Sequence, residues 1–169
     1  MARPRKQLDF RAAAEALTAP GAEHATMAAI AERLEVAKPT LYRMAGSREE
    51  LVQICVDAEA ERLLEQVHRA QPLDGFLRFA EDSPAGFLLL FGGRYPEARQ
   101  AVRRVENRVR DVLRRELRAA GRPARRAELL AAGVLGLAAG VARRALEDEI
   151  RLESIDLQGI LAFASGART

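Results

Sequence analysis

The chain has 169 residues, with Lys+Arg 27 against Asp+Glu 24, 49% hydrophobic residues, 5% aromatics, one cysteine and no tryptophan. That composition can bury a core and excludes wholesale disorder, and Cys55 with two histidines supplies neither an internal disulfide nor a zinc tetrad, so no metal or cofactor is expected. A net charge of +3 does not by itself imply a nucleic-acid partner. The longest uncharged apolar run, Leu129 to Ala142, has 14 residues, short of the roughly 17 to 25 that a spanning helix needs. The expectation is a soluble, cytoplasmic protein with no membrane partner.

Alternating β-branched runs are absent, and apolar spacings of three and four recur from end to end, which predicts an all-α fold. Phe10, Ala13, Ala14 and Leu17 mark a first helix stopped by Pro20-Gly21. Thr26 stands where an N-cap belongs, ahead of Ile30, Ala31 and Leu34, and Glu35-Val36-Ala37 separates that helix from a second short one beginning at Lys38. Ser47 and Glu50 form a capping box that opens a longer helix, about 47–71, with Leu51, Ile54, Cys55, Ala58 and Val67 as its apolar stripe and Pro72 as its end. Longer helices follow. The stretch from about Pro96 to Ala120 lines one face with Ala98, Val102, Val105, Val109, Val112, Leu113 and Leu117. The next, about 124–149, is apolar nearly all round, which predicts burial on most sides, and Gly133, Gly136 and Gly140 leave smooth patches for close packing. A last short helix is expected from Ile155 to about Ala164.

A supporting helix, a helix, a tight turn and a second helix make the helix-turn-helix pattern of DNA-binding proteins. The second helix has suitable chemistry. Pro39 costs no hydrogen bond in a first turn, Thr40 can meet base edges, Lys38 and Arg43 can reach guanine acceptors or phosphate, and Tyr42 can donate its hydroxyl to phosphate. Leu41 is expected to point into the small core. The helix starts at Thr26 and at Ser47-Arg48 offer further phosphate contacts. Charge follows the same plan: residues 1–48 hold 8 basic and 5 acidic side chains, whereas 49–72 hold 2 and 6.

The stretch Ala25 to Leu51, ATMAAIAERLEVAKPTLYRMAGSREEL, resembles the TetR family of transcriptional repressors, most specifically in Thr40-Leu41-Tyr42 and in Gly46 through Leu51. The resemblance implies that Thr26, Lys38, Pro39, Thr40, Tyr42 and Arg48 contact DNA; Arg43 joins them on its chemistry. It also implies division into a DNA-binding domain, 1–46, and a helical regulatory and dimerisation domain, 47–169, with helix 47–71 connecting them. The function expected is that of a homodimeric repressor bound to a pseudo-palindromic double-stranded operator and released by a small, largely apolar effector. Phe76, Phe79, Phe87, Leu88, Phe91, Val105 and Val109 are candidates to line the effector pocket. Gly133, Gly136, Leu137, Gly140, Ile160 and Phe163 are candidates for the dimer interface, which the resemblance implies is a bundle of four helices.

Four positions depart from the family pattern, among them Met44 and Ala45, which stand where a His or Tyr and then a Phe are common. Glu35 stands where glycine is usual and must accept a left-handed conformation or alter the turn, and Ala37 removes a Ser or Thr cap from the recognition helix. The competing reading is a helical protein that binds nucleic acid without sequence preference through the arginines of 94–126, where 12 basic residues meet 4 acidic ones. An enzyme is not expected, since no phosphate loop, nucleophile elbow, zinc spacing or Cys-His pairing is present.

Overall fold

A computed structural model describes residues 8–69 and 72–152, and among these it is all-α. Ile160, Phe163 and the predicted last helix lie outside the described residues. The elements are α1 (Phe10–Thr18), α2 (Met27–Arg33), α3 (Lys38–Ala45), α4 (Arg48–Arg69), α5 (Pro72–Asp82), α6 (Pro84–Phe91), α7 (Arg99–Ala119) and α8 (Ala124–Glu147), with single 3-10 turns at Ala22–His24 and Pro96–Ala98. Pro72 therefore opens α5 rather than ending α4, and Pro84 opens α6. A first-turn proline gives up an N–H that has no intrahelical acceptor, so both are starts, not stops.

Packing groups the chain into two compact units, Met1–Arg62 with Ala85–Arg103, and Leu63–Pro84 with Arg104–Thr169. This grouping does not coincide with a division by role at residue 46. α4 and α7 each contribute residues to both units.

In the first unit α1 begins on Asp9, whose Oδ1 accepts from the N–H groups of Arg11 at 3.0 Å and Ala12 at 3.1 Å. Ala13, Ala14, Ala16 and Leu17 are buried, but Phe10 is 39% exposed. Helical side chains lean toward the N-terminus, so a first-turn residue overhangs the end of the core even when it shares the apolar face. α2 buries Met27, Ile30 and Ala31, and α3 buries Leu41 and Ala45. α4 buries Leu51, Val52, Cys55, Val56, Glu59 and Ala60, whereas Ile54 and Ala58 of the expected stripe are half-buried. The true stripe is rotated by part of a turn, and it carries a carboxylate. Glu59 is wholly buried, and its carboxylate accepts from Arg62 Nη1 at 2.9 and 3.0 Å, which is what makes its burial tolerable.

In the second unit α5 meets the end of α4 at Gly75, where a Cβ would lie 2.4 Å from the carbonyl oxygen of Gln66; only glycine permits that approach. Gln66 Nε2 donates to Asp82 Oδ2 at 3.2 Å across the same pair. Val105, Val109, Val112 and Leu113 are buried along α7, with Leu117 half-buried. α8 packs against α5 and buries Ala127, Ala131, Leu135, Ala138, Ala142 and Ala145. Among the described residues the expected burial on most sides is not found. Leu129 is 68% exposed, Gly133 and Gly136 are exposed, and a Cβ added at Gly133, Gly136 or Gly140 would meet nothing within 4 Å. These residues fall on the side of the helix opposite the buried alanines. By length and composition alone the 24 residues of α8 could cross a membrane, because half-polar flanks extend the 14-residue run. Its alanine face, however, is occupied by packing within its own chain.

Candidate nucleic-acid interface

The interface is built by three helix junctions within the first unit. α2 starts on Thr26, in extended conformation, with Oγ1 accepting from Ala29 N–H at 3.3 Å. A hydroxyl used as acceptor still has its proton to donate. α2 then ends in a Schellman turn: Glu35 N–H donates to the Glu32 carbonyl and Val36 N–H to the Ala31 carbonyl, each at 3.0 Å. This geometry needs a left-handed residue, and Glu35 supplies it at φ 52. The turn keeps its usual shape and the glutamate bears the strain.

α3 follows with Ala37 at its N-cap and no side-chain hydrogen bond there, as its lack of a hydroxyl requires. Pro39 occupies the first turn. Leu41 and Ala45 anchor one face in the core, which turns Lys38, Pro39, Tyr42 and Arg43 to the outside and leaves Thr40 half-buried. Tyr42 is 43% exposed, the Lys38 ammonium sits 5.9 Å from its ring centroid, and Arg43 Nη2 donates to Thr40 Oγ1 at 3.3 Å. α3 has no acidic residue on any face. Gly46, at φ 65, ends the helix, and Ser47 Oγ accepts from Glu50 N–H at 3.1 Å to start α4. Arg48, the first residue of α4, has its guanidinium carbon 5.4 Å from the ring centroid of Tyr95.

All seven predicted DNA-facing residues thus lie on α3 or at the starts of α2 and α4, in one compact unit, with the recognition helix outward and unencumbered by carboxylates of its own. This is a helix-turn-helix. The family described as bacterial regulatory proteins, tetR family, matches residues 10–54. The head is a TetR-family DNA-binding domain. Residues 10–54 accordingly form a DNA-binding head of the kind those regulatory proteins carry.

Solved structures extend the likeness of fold beyond the TetR head. A TetR-like transcriptional regulator from Rhodococcus sp. RHA1 superposes over 100% of both chains with a TM-score of 0.71 at 24% identity. The TetR family transcriptional regulator PfmR from Thermus thermophilus gives 0.57 at 24% identity, over 84% of this chain and 93% of that one. No curated protein matches the sequence.

The pocket candidates are less coherent. Phe76, Phe79, Val105 and Val109 are buried in the second unit, while Phe87, buried, and Leu88 and Phe91, half-buried, belong to the first, with the Phe87 and Phe91 rings 4.9 Å apart. Two grooves described in the second unit are lined by other residues. One, of about 320 Å³, involves Glu81, Leu146 and Leu152, and the other, of about 400 Å³, involves Gly136, Leu137, Gly140, Val141 and Ile150. Sequence reasoning missed Arg94 and Tyr95. No local pattern could have found them, because their partners lie 76 and 78 residues earlier.

Proposed function

We propose that this regulator is a soluble, cytoplasmic homodimeric repressor that reads a pseudo-palindromic operator and is released by a small, largely apolar effector. The observation that carries the reading is the division of α3: Leu41 and Ala45 hold it, and Lys38, Pro39, Thr40, Tyr42 and Arg43 are presented together. In this reading Thr40 and Pro39 meet base edges, and Lys38, Tyr42, Arg43, Thr26 and Arg48 position the helix on phosphates. A two-fold dimer places its two recognition helices about 34 to 36 Å apart, one helical turn of DNA.

The exposed side of α8 supports dimerisation. Leu129, Leu137, Gly133, Gly136 and Gly140 share it, the glycines let a second backbone approach closely, and its groove ends at the 47%-exposed Ile150. A second copy of the same face would cover this apolar stripe by symmetry. For the effector, Phe76 and Phe79 of the second unit remain candidates; both are buried, so a ligand there has to displace packed rings. A coupling of about 1 to 3 kcal/mol suffices to lower operator affinity roughly 5- to 150-fold.

The test is selection of duplexes from random DNA by the purified full-length protein, followed by footprinting and sedimentation. A palindromic consensus bound by a dimer is expected, and Leu137→Glu should yield monomers that no longer hold it. Binding without any sequence preference, undiminished when Lys38, Tyr42 and Arg43 are replaced by alanine, would instead establish the arginine segment 94–126 as the nucleic-acid surface.

A further inference from the structure

The C-terminal end of α1 has four carbonyls that no intrahelical N–H reaches beyond the cap, and side chains from elsewhere in the chain take three of them. Glu15 O is met by Ala19 N–H at 3.1 Å. Ala16 O accepts from Arg33 Nη1 at 3.2 Å, Leu17 O accepts from the Tyr95 hydroxyl, and Thr18 O accepts from Arg94 Nη1 at 2.9 Å. Arginines at a helix C-terminus also meet the negative end of its dipole. The Tyr95 ring, 5% exposed, simultaneously carries the Arg48 guanidinium. One residue from the connection between α6 and α7 therefore touches the last turn of the supporting helix and the first residue of α4.

We propose that Arg94 and Tyr95 are positioning residues for DNA binding: both terminate α1, and the Tyr95 ring holds the Arg48 guanidinium in place for a backbone phosphate. This rests on the reading of Arg48 as a phosphate contact. A cation–π contact draws on the charge and restricts the plane of the guanidinium without consuming its N–H donors, so a stacked arginine keeps its capacity to bind phosphate while losing fewer rotamers on doing so. The burial of the ring matters equally. A tyrosine enclosed on the protein side has one hydroxyl direction, and here it is committed to a helix end that would otherwise fray. Gly92 and Gly93 precede the pair and leave the connection free to adopt the path this requires, with Gly93 at φ 69. The connection thereby orients, from a distant part of the chain, an arginine at the start of α4.

The experiment uses the full-length protein and a duplex it selects from random DNA, with affinity measured across salt concentration. Arg48→Ala should lower the salt slope by about one contact. Tyr95→Leu should weaken binding about 3- to 30-fold in the wild-type background and have little further effect in the Arg48→Ala background. Tyr95→Phe, which keeps the ring, should retain the wild-type salt slope. Equal losses from Tyr95→Leu in both backgrounds would show a purely structural role and overturn the proposal; an unchanged slope in Arg48→Ala would overturn the underlying reading of Arg48. A measurement without DNA decides the other half. In Arg94→Gln and Tyr95→Phe, hydrogen exchange at Thr18 and Ala19 should accelerate about 5-fold or more with α3 unchanged, and unchanged exchange at those amides would remove the pair from the positioning role. These conservative variants also carry the test should Tyr95→Leu fail to fold.

Discussion

Val36 N–H donates to the Ala31 carbonyl at 3.0 Å, and this one bond closes the turn between the two helices of the DNA-binding motif. It can form only because Glu35, between them in the chain, adopts φ 52. A side chain with a Cβ is strained there by roughly 1 kcal/mol. Glu35→Gly should therefore raise stability by about 0.5 to 1 kcal/mol, read as a higher midpoint in chemical denaturation. Glu35→Val, β-branched in the same conformation, should lower it by more than that.

The N-terminus of α3 offers the complementary gain. Ala37 has φ −65 and ψ 137, the extended geometry of an N-cap, and gives no side-chain bond. Serine at this position has an acceptor within reach of the Thr40 amide, so Ala37→Ser should add about 0.5 to 1 kcal/mol. Thermal denaturation should show an increase of about 2 °C; no increase would mean that the proline in the first turn already holds the helix start.

Within the recognition helix the roles divide by exposure and chemistry. Tyr42, exposed and beside Lys38, should act on phosphate as a neutral hydroxyl donor, so Tyr42→Ala weakens binding to all sequences alike while leaving the salt slope, which counts charged contacts, nearly unchanged. Thr40→Ala should change base preference at one position of each half-site, costing about 1 to 3 kcal/mol for the preferred base. Competition between the selected duplex and scrambled DNA distinguishes the two. Identical profiles for both variants would refute the division.

Cys55 predicts a pH dependence. Burial, and then the Glu59 carboxylate four residues on, push its thiol from 9.0 up to about 12. Below pH 9 both folded and unfolded chains keep the proton, and the full contribution to stability is present. As pH rises from 9 toward 12 the unfolded thiol ionises while the folded one does not, and each pH unit removes about 1.4 kcal/mol. Between about pH 8 and about pH 10 the wild type should lose about 1.4 kcal/mol more than Cys55→Ala. Parallel losses would show that the site admits the thiolate. The same burial predicts that folded protein resists thiol alkylation.

Much of this protein was legible in its sequence because the deciding signals are local. The caps at Thr26 and Ser47, the strained Glu35, the missing cap at Ala37 and the outward set on α3 all follow from residues within one turn of each other. Backbone hydrogen bonds of helices and turns span about five residues or fewer, so their chemistry is written in short words. Three features were decided only in the folded chain. The buried Glu59 looks in sequence like any exposed helical glutamate until α4's stripe rotates it inward, where Arg62 meets it. α8 reads as a helix buried on most sides, yet among the described residues it is the alanine face that is buried, because hydrophobic burial depends on what other surface is available and not on composition. Finally, the end of α1 and the setting of Arg48 depend on Arg94 and Tyr95, which packing of the first unit brings to partners 76 and 78 residues earlier on α1 and to Arg48 on α4. The sequence by itself determined the motif and its local caps; the tertiary structure decided which distant side chains complete the end of α1 and which face of α8 the described residues bury.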